Sequence, residues 1–337
     1  MKNEDNKEVG AVADKASSDP KDVESLSAEI EKLEKDNEML NLNIEELSKT
    51  NEYLVSATWR EREMKQKLGI ALEELKETKK IVDKQHKSIT DSINYASRIQ
   101  DAIIPKHKDI AQYFKDIFIM HEAKDIVSGD FPWFYKKDDY VYIAAVDCTG
   151  HGVPGAMMSL IGYLLMNDIA NHDDIDPAQL LTNLHWAVVK TLKQDAEGKQ
   201  TSDGMDIALC RINLKDNQVQ YAGAHRPLYR VRNGELEQYS GAKFPIGGNQ
   251  YRGRNKFFNH EVDIEGGDSV YFFSDGLTDQ FGGPDGLKYG PKRTREELLK
   301  YNHLSMEKLN EKMQKSYSDW KGDTNQIDDV LLIGIKF

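Results

Sequence analysis

From Leu26 onward the chain sets an apolar residue at nearly every seventh position: Leu33, Leu40, Leu47 and Leu54, then Leu68, Leu75, Val82, Ile89, Ala96 and Ile103, with Glu61 as the polar exception. Taken as the d positions of a heptad, these leave Ile30, Asn37, Ile44, Asn51, Thr58, Lys65, Leu72, Lys79, His86, Ile93 and Gln100 at a. No proline lies between Pro20 and Pro105, and Gly69 is the one glycine of the stretch. A register sustained this long predicts a coiled-coil helix over residues 23–105. The alternative is a long amphipathic helix folded back on the next domain. Asn37 and Asn51 weigh against it, because asparagine is a poor core residue in a globular helix but fixes register at a in a parallel two-stranded coil. Self-association through a parallel coil is therefore expected, weakest from Thr58 to Lys65. Pro105 ends the helix, since an imino acid cannot extend it.

The remaining composition narrows the function. Fifty-seven acidic residues against 45 lysines and arginines give a net charge of -12, which argues against a general nucleic-acid binder. It leaves a metal enzyme open, because clustered carboxylates raise the acidic count. Cys148 and Cys210 form no CxxC pair, so neither a zinc ribbon nor a disulfide framework is expected. Residues 1–22 are polar and are expected to be disordered; with no apolar core they do not read as a signal peptide. No run approaches ~18 apolar residues, so no membrane span is expected and the chain reads as soluble and cytoplasmic.

From residue 110 the texture turns to mixed α and β. "YVYIAAV" (140–146) reads as a buried strand, followed by helices over 153–170 and 177–194, the second with Pro177 in its first turn. "DIALCRINLKDNQVQYAGA" reads as two strands joined at Lys215–Asn217, and "PLYRVRNGELEQYS" as a hairpin with Asn233–Gly234 in a type I′ turn. "DIFIMHEA", "DSVYFFSDG" and "DVLLIGIKF" add three strands. Hairpins dominate, so antiparallel sheet with outer helices is expected.

Several strands deliver an aspartate at an edge: Asp130 in "VSGDF", Asp147 in "AAVDCTG", Asp275 in "YFFSDGLTD" and the pair Asp328–Asp329 in "NQIDDVLLIGI". One Asp–Gly at a strand end is ordinary turn chemistry. Four together are a different matter, because buried carboxylates repel unless a cation neutralises them. Without supporting cysteines or histidine pairs, they select hard, oxygen-liking ions such as Mg²⁺ or Mn²⁺.

The order "SGDF … VDCTGHGVPGA … DGMDIALCRI … YAGAHRPLY … FPIGG … FFSDGLTD … DDVLLIGI" resembles the metal-dependent type 2C (PPM) serine/threonine phosphatases, in particular their bacterial SpoIIE-like branch. "ASRIQDAIIP" (96–105) resembles the segment preceding the catalytic domain in that branch, so the likeness runs from about Ala96 to Phe337. It implies an α+β fold, an αββα sandwich of two antiparallel sheets with outer helices, over residues 108–337. It implies two divalent ions, Mn²⁺ or Mg²⁺, that activate water for direct attack on phosphoserine or phosphothreonine. Asp147 would be the catalytic, bridging carboxylate, with the main-chain carbonyl of Cys148 and Asp130 on the first ion. Asp275 and Asp328 would serve the second, and Asp329 would support the site by hydrogen bonding. The implied partner is a phosphorylated protein such as an anti-sigma-factor antagonist. A catalytically inactive scaffold assembled by the coil is the alternative.

The chain departs from the pattern at Ser128, where glycine is usual, and at Pro132. The phosphate-binding arginine of the eukaryotic members has no counterpart, and His151 lies further from Asp147 than their histidine. Turn or packing roles are expected for His151 and His225, and burial against the helix for the Cys148 side chain. Lys124 and Arg226 are the candidates for holding phosphate, with solvated surface charge as the default for both.

Overall fold

The computed structural model describes residues 20–172, 174–195, 202–248 and 256–337. The expected disorder of residues 1–22 therefore falls almost wholly outside the described residues. The chain forms two units, one ending at Gln85 and one running from His86 to Phe337.

Among the described residues the first unit is helix alone. α1 (Pro20–Ile103) runs unbroken through 84 residues, as the heptads require. Its apolar a and d side chains are exposed, Leu33 at 61% and Leu47 at 67%, so none of the described residues of that unit covers the stripe. The last turns of α1 belong to the second unit, where the partly buried positions Thr90, Ile93, Ala96 and Ser97 lead to the buried Gln100. The last helical bond runs from Ile104 N to Gln100 O at 2.9 Å, directly before Pro105.

The second unit continues with α2 (His107–Ala111), β1 (Asp116–Glu122), β2 (Phe131–Lys137), β3 (Tyr140–Cys148), α3 (Gly152–His172), α4 (Pro177–Thr191), β4 (Gly204–Asn213), β5 (Val219–Ala224), β6 (Leu228–Arg232) and β7 (Glu235–Tyr239). After these come β8 (Ile246–Gly247), β9 (His260–Val262), β10 (Ser269–Phe273), α5 (Asp275–Asp279), β11 (Phe281–Gly282), β12 (Leu287–Lys288), α6 (Gly290–Tyr301), α7 (Met306–Lys321) and β13 (Val330–Lys336). One sheet has the order β1-β13-β10-β6-β7, the other β2-β3-β4-β5-β9 with β8 on β4. The paired strands are antiparallel, as expected.

Strand alternation builds the layers. Leu331, Ile333 and Ile335 of β13 meet Ile143 and Ala145 of β3 between the sheets. The intervening Val330 and Leu332 pack outward with Leu298 of α6 and Leu309 and Met313 of α7. Tyr142, Ala144 and Val146 of β3 pack outward with Met158 of α3 and Leu180 and Leu184 of α4. Helices thus cover both outer faces, the αββα sandwich expected from the sequence.

Local signals hold where they were specific. Asn233 and Gly234 both take positive φ, 51° and 81°, as a type I′ turn demands. Asp176 caps α4, its carboxylate accepting Gln179 N at 2.9 Å. β2 carries Pro132 and gave no strand signal; it lies at a sheet edge, where a missing N–H is tolerated. α3 is long and apolar enough by length and composition to cross a membrane. The helix nevertheless packs in this domain, with Met158 and Met166 in the core against the sheet.

Candidate metal centre

The register of the sheets gathers the acids at one end of the sandwich. Phe131 pairs with Val146, which sets Asp130 beside Asp147 across β2 and β3. On the other flank of β3, Asp147 stands directly opposite Asp206 of β4. β10 and β13 run side by side in the facing sheet, so Asp275, which opens α5, and Asp328, just before β13, arrive at the same end. The Asp275 N–H donates to Asp147 Oδ2 at 3.2 Å, joining the two sheets through the site.

These carboxyls are under electrostatic stress. Burial, with the charge of Asp147 next, pushes Asp130 well above the usual carboxylate range, and its Oδ2 is buried without a hydrogen-bond partner. Burial raises Asp147 to about 7, with Asp275 and Asp206 adding and Arg226 opposing. Burial likewise raises Asp206 and Asp328. Each group would be relieved by a cation.

A side-chain cation lies among these carboxylates. Arg226 Nη2 lies 2.6 Å from Asp275 Oδ2, 2.9 Å from Asp206 Oδ2 and 3.1 Å from Asp147 Oδ2. Among the described residues no three His, Cys, Asp or Glu side chains form a ligating group. The expectation of a solvated surface charge is therefore corrected for Arg226, which charge complementarity draws into the carboxylates. It is corrected for Lys124 too, whose ammonium donates to Ile327 O at 2.6 Å and lies 2.8 Å from His151 Nε2.

The loops are held by close backbone approach and by buried polar groups. Gly150 has φ +83°, and a Cβ on Gly155 would strike the Gly150 carbonyl and approach Gly129 Cα to 3.0 Å. This contact explains why the turn after Asp147 needs several glycines: its carbonyl packs onto the loop that carries Asp130. Asp329 accepts Lys124 N at 2.8 Å and Gly129 N at 2.7 Å, a supporting use of its carboxylate. Ser128, the departure from the usual glycine, accepts Asp130 N on its hydroxyl at 3.1 Å, while His121 Nε2 lies 3.1 Å from the same oxygen.

Other residues acquire roles from the fold. His151 Nδ1 lies 2.8 Å from Asp125 Oδ2. His225 takes a left-handed turn position, φ 57°, and its Nδ1 lies 3.0 Å from Asp206 Oδ1. Cys148 is buried among the residues packed under α3, its thiol pushed up by burial. Sequence reasoning gave no role to Asp206, although a lone acid opening the apolar run "DIALC" was the available signal. It placed Gln100 at a coil a position. That placement is corrected, because Gln100 is buried in the second unit, donating to Ser128 O at 2.6 Å and Ser159 Oγ at 2.8 Å.

The family model described as Stage II sporulation protein E (SpoIIE) matches residues 137–337. The chain belongs to the SpoIIE family. Phosphoserine phosphatase RsbU of Bacillus subtilis is 26% identical over 57% of this chain. The match takes in 54% of that relative, so the chain spans about half its length. The SiaA-PP2C domain of Pseudomonas aeruginosa is 30% identical, with 75% of this chain and 98% of that one covered at a TM-score of 0.67. The PP2C phosphatase domain of SpoIIE from Bacillus subtilis, with a fragment of its regulatory domain, shares the fold at a TM-score of 0.54. There the identity is 16%, over 66% of this chain and 63% of that one. The family and fold class expected from the sequence are borne out, and the name of the 26% identical Bacillus subtilis relative supports the phosphatase reading.

Proposed function

We propose that this chain is a metal-dependent serine/threonine protein phosphatase. The observation that carries the reading is the convergence of Asp130, Asp147, Asp275 and Asp328 at one end of both sheets, with Asp130 and Asp147 raised by burial and an Asp130 oxygen unpartnered. An all-oxygen donor set of this kind fits Mg²⁺ or Mn²⁺ and not zinc. Asp130, Asp147 and the Cys148 carbonyl would hold one ion, and Asp147, Asp275 and Asp328 a second. Bound there, divalent cations would supply the positive charge that phosphoryl oxygens require and would acidify water.

The chain's own groups do the rest. Gly129 and Gly155 let the Asp130 and Asp147 loops close on each other, and Asp329 fixes the first of these through Gly129 N. Asp125 orients His151, which stands beside Lys124 at the rim. The buried Cys148 thiol, its pKa raised by burial, is unsuited to act as a nucleophile. The substrate group proposed is phosphoserine, in keeping with the name of the Bacillus subtilis relative, carried on a protein such as an anti-sigma-factor antagonist.

The part of residues 23–105 ahead of His86 forms, in this proposal, a parallel dimeric coil that regulates the phosphatase in the cytoplasm. The exposed apolar stripe and the a-position asparagines support it. The test of the activity is phosphate release from a phosphoserine peptide by the full chain with Mn²⁺. Release that is absent with EDTA and restored by Mn²⁺ is expected, whereas a chain inert with both ions would favour the scaffold.

A further inference from the structure

Three carboxylates surround one nitrogen of Arg226. Its Nη2 donates two hydrogen bonds, to Asp206 and to Asp275, and meets Asp147 as a third charge at 3.1 Å. An Nη nitrogen carries two protons, so the third contact is held by charge and not by a donated bond. Among the described residues the Arg226 guanidinium donates its hydrogen bonds through Nη2, and its Nε is buried without a hydrogen-bond partner. Its backbone, in contrast, is fixed in the β5–β6 turn, where Arg226 N donates to Ala224 O at 2.7 Å and the Tyr221 hydroxyl donates to Arg226 O. A pivot is therefore fixed while the charged end is held only by the carboxylates.

We propose that Arg226 is a tethered counter-cation that competes with divalent metal for Asp147 and Asp275. The inference rests on the metal reading of the site given above. Metal and guanidinium seek the same oxygens, so loading the site requires the guanidinium to withdraw from Asp147 and Asp275. Asp206, which lies outside the proposed ligand set and also holds His225, gives the withdrawn guanidinium a carboxylate to rest on. Metal affinity is thereby set below what the carboxylates alone would give, and the metal-free site is kept from repelling itself open.

The test is calorimetric titration of the full chain with Mn²⁺ and thermal unfolding with and without it. Arg226→Gln is expected to bind Mn²⁺ about tenfold more tightly than wild type, the scale of one charge-assisted hydrogen bond regained. In EDTA the same variant is expected to melt at a lower temperature, and saturating Mn²⁺ to narrow that gap. Unchanged or weaker Mn²⁺ affinity in Arg226→Gln overturns the competition, as does an equal gain from Lys124→Gln, which would mark a general field effect. Should Arg226→Gln not fold, the wild-type arginine side-chain ¹⁵N signals decide in a Mg²⁺ titration. An Arg226 signal unaltered at saturation overturns the proposal, and one that shifts as its contacts with Asp147 and Asp275 are lost supports it. A wild-type chain that binds no Mn²⁺ would instead defeat the metal reading itself, and this inference with it.

Discussion

Gln100 and Ser128 exchange two hydrogen bonds through the buried edge of the second unit: the Gln100 amide donates to Ser128 O at 2.6 Å, and Ser128 N donates to Gln100 Oε1 at 3.1 Å. The loop they hold carries Asp130, and Gln100 is 7% exposed. Gln100→Ala leaves a buried N–H and C=O unpaired, a loss of about 1–3 kcal/mol. The expected outcome is a lower unfolding midpoint and a lower kcat for Mn²⁺-dependent hydrolysis. Wild-type values of both would show that the loop holds its position unaided.

Asp147→Asn is expected to abolish phosphate release while the fold persists, because an amide cannot bridge two cations as a carboxylate does. Asp275→Asn should act in the same direction. Circular dichroism checks the fold and calorimetry the weakened Mn²⁺ binding. Turnover retained in Asp147→Asn at full metal affinity would sink the two-metal proposal.

The Asp147 carboxyl also sets a pH dependence. Its pKa is raised by burial to about 7 from an ordinary value of 3.8. Between those values the folded state holds a proton that the unfolded state has lost, so this group's contribution to stability falls as pH rises. Below the window both states are protonated, and above it both are ionised and the full penalty stands. In EDTA, the unfolding midpoint of the wild type relative to Asp147→Asn should therefore decline from about pH 4 to about pH 7. A flat or rising difference would contradict the assignment.

For the coil, light scattering of the full chain at micromolar concentration should report a dimer. Asn37→Leu with Asn51→Leu should raise the melting temperature of the coil while relaxing its choice of oligomer. A monomeric wild type would defeat the dimer proposal. Comparing the full chain with residues 86–337, which keep Gln100, then measures regulation: equal activity would leave the coil a tether.

Much of this protein is written locally. The heptads from Leu26 and the arrest at Pro105 specify α1, because helix periodicity and the missing imide N–H act over a few residues. The alternation of β13 and the Asn233–Gly234 turn specify strands and a hairpin for the same reason. The aspartates at strand ends were legible as a group, since apolar runs ending in Asp are rare enough to stand out together.

What the sequence could not reveal is which charges face each other. Asp206 opposes Asp147 only through the β3–β4 register, and Arg226, just ahead of β6, reaches Asp275, just after β10, only through the β6–β10 register. Gln100 fits a heptad by spacing but is claimed by Ser128 and Ser159, because a buried amide goes where its hydrogen bonds are met. The sequence by itself determined the elements and the supply of carboxylates. Only the tertiary structure decided their partners, because Coulombic and hydrogen-bond energies depend on distances that register and sheet packing alone establish.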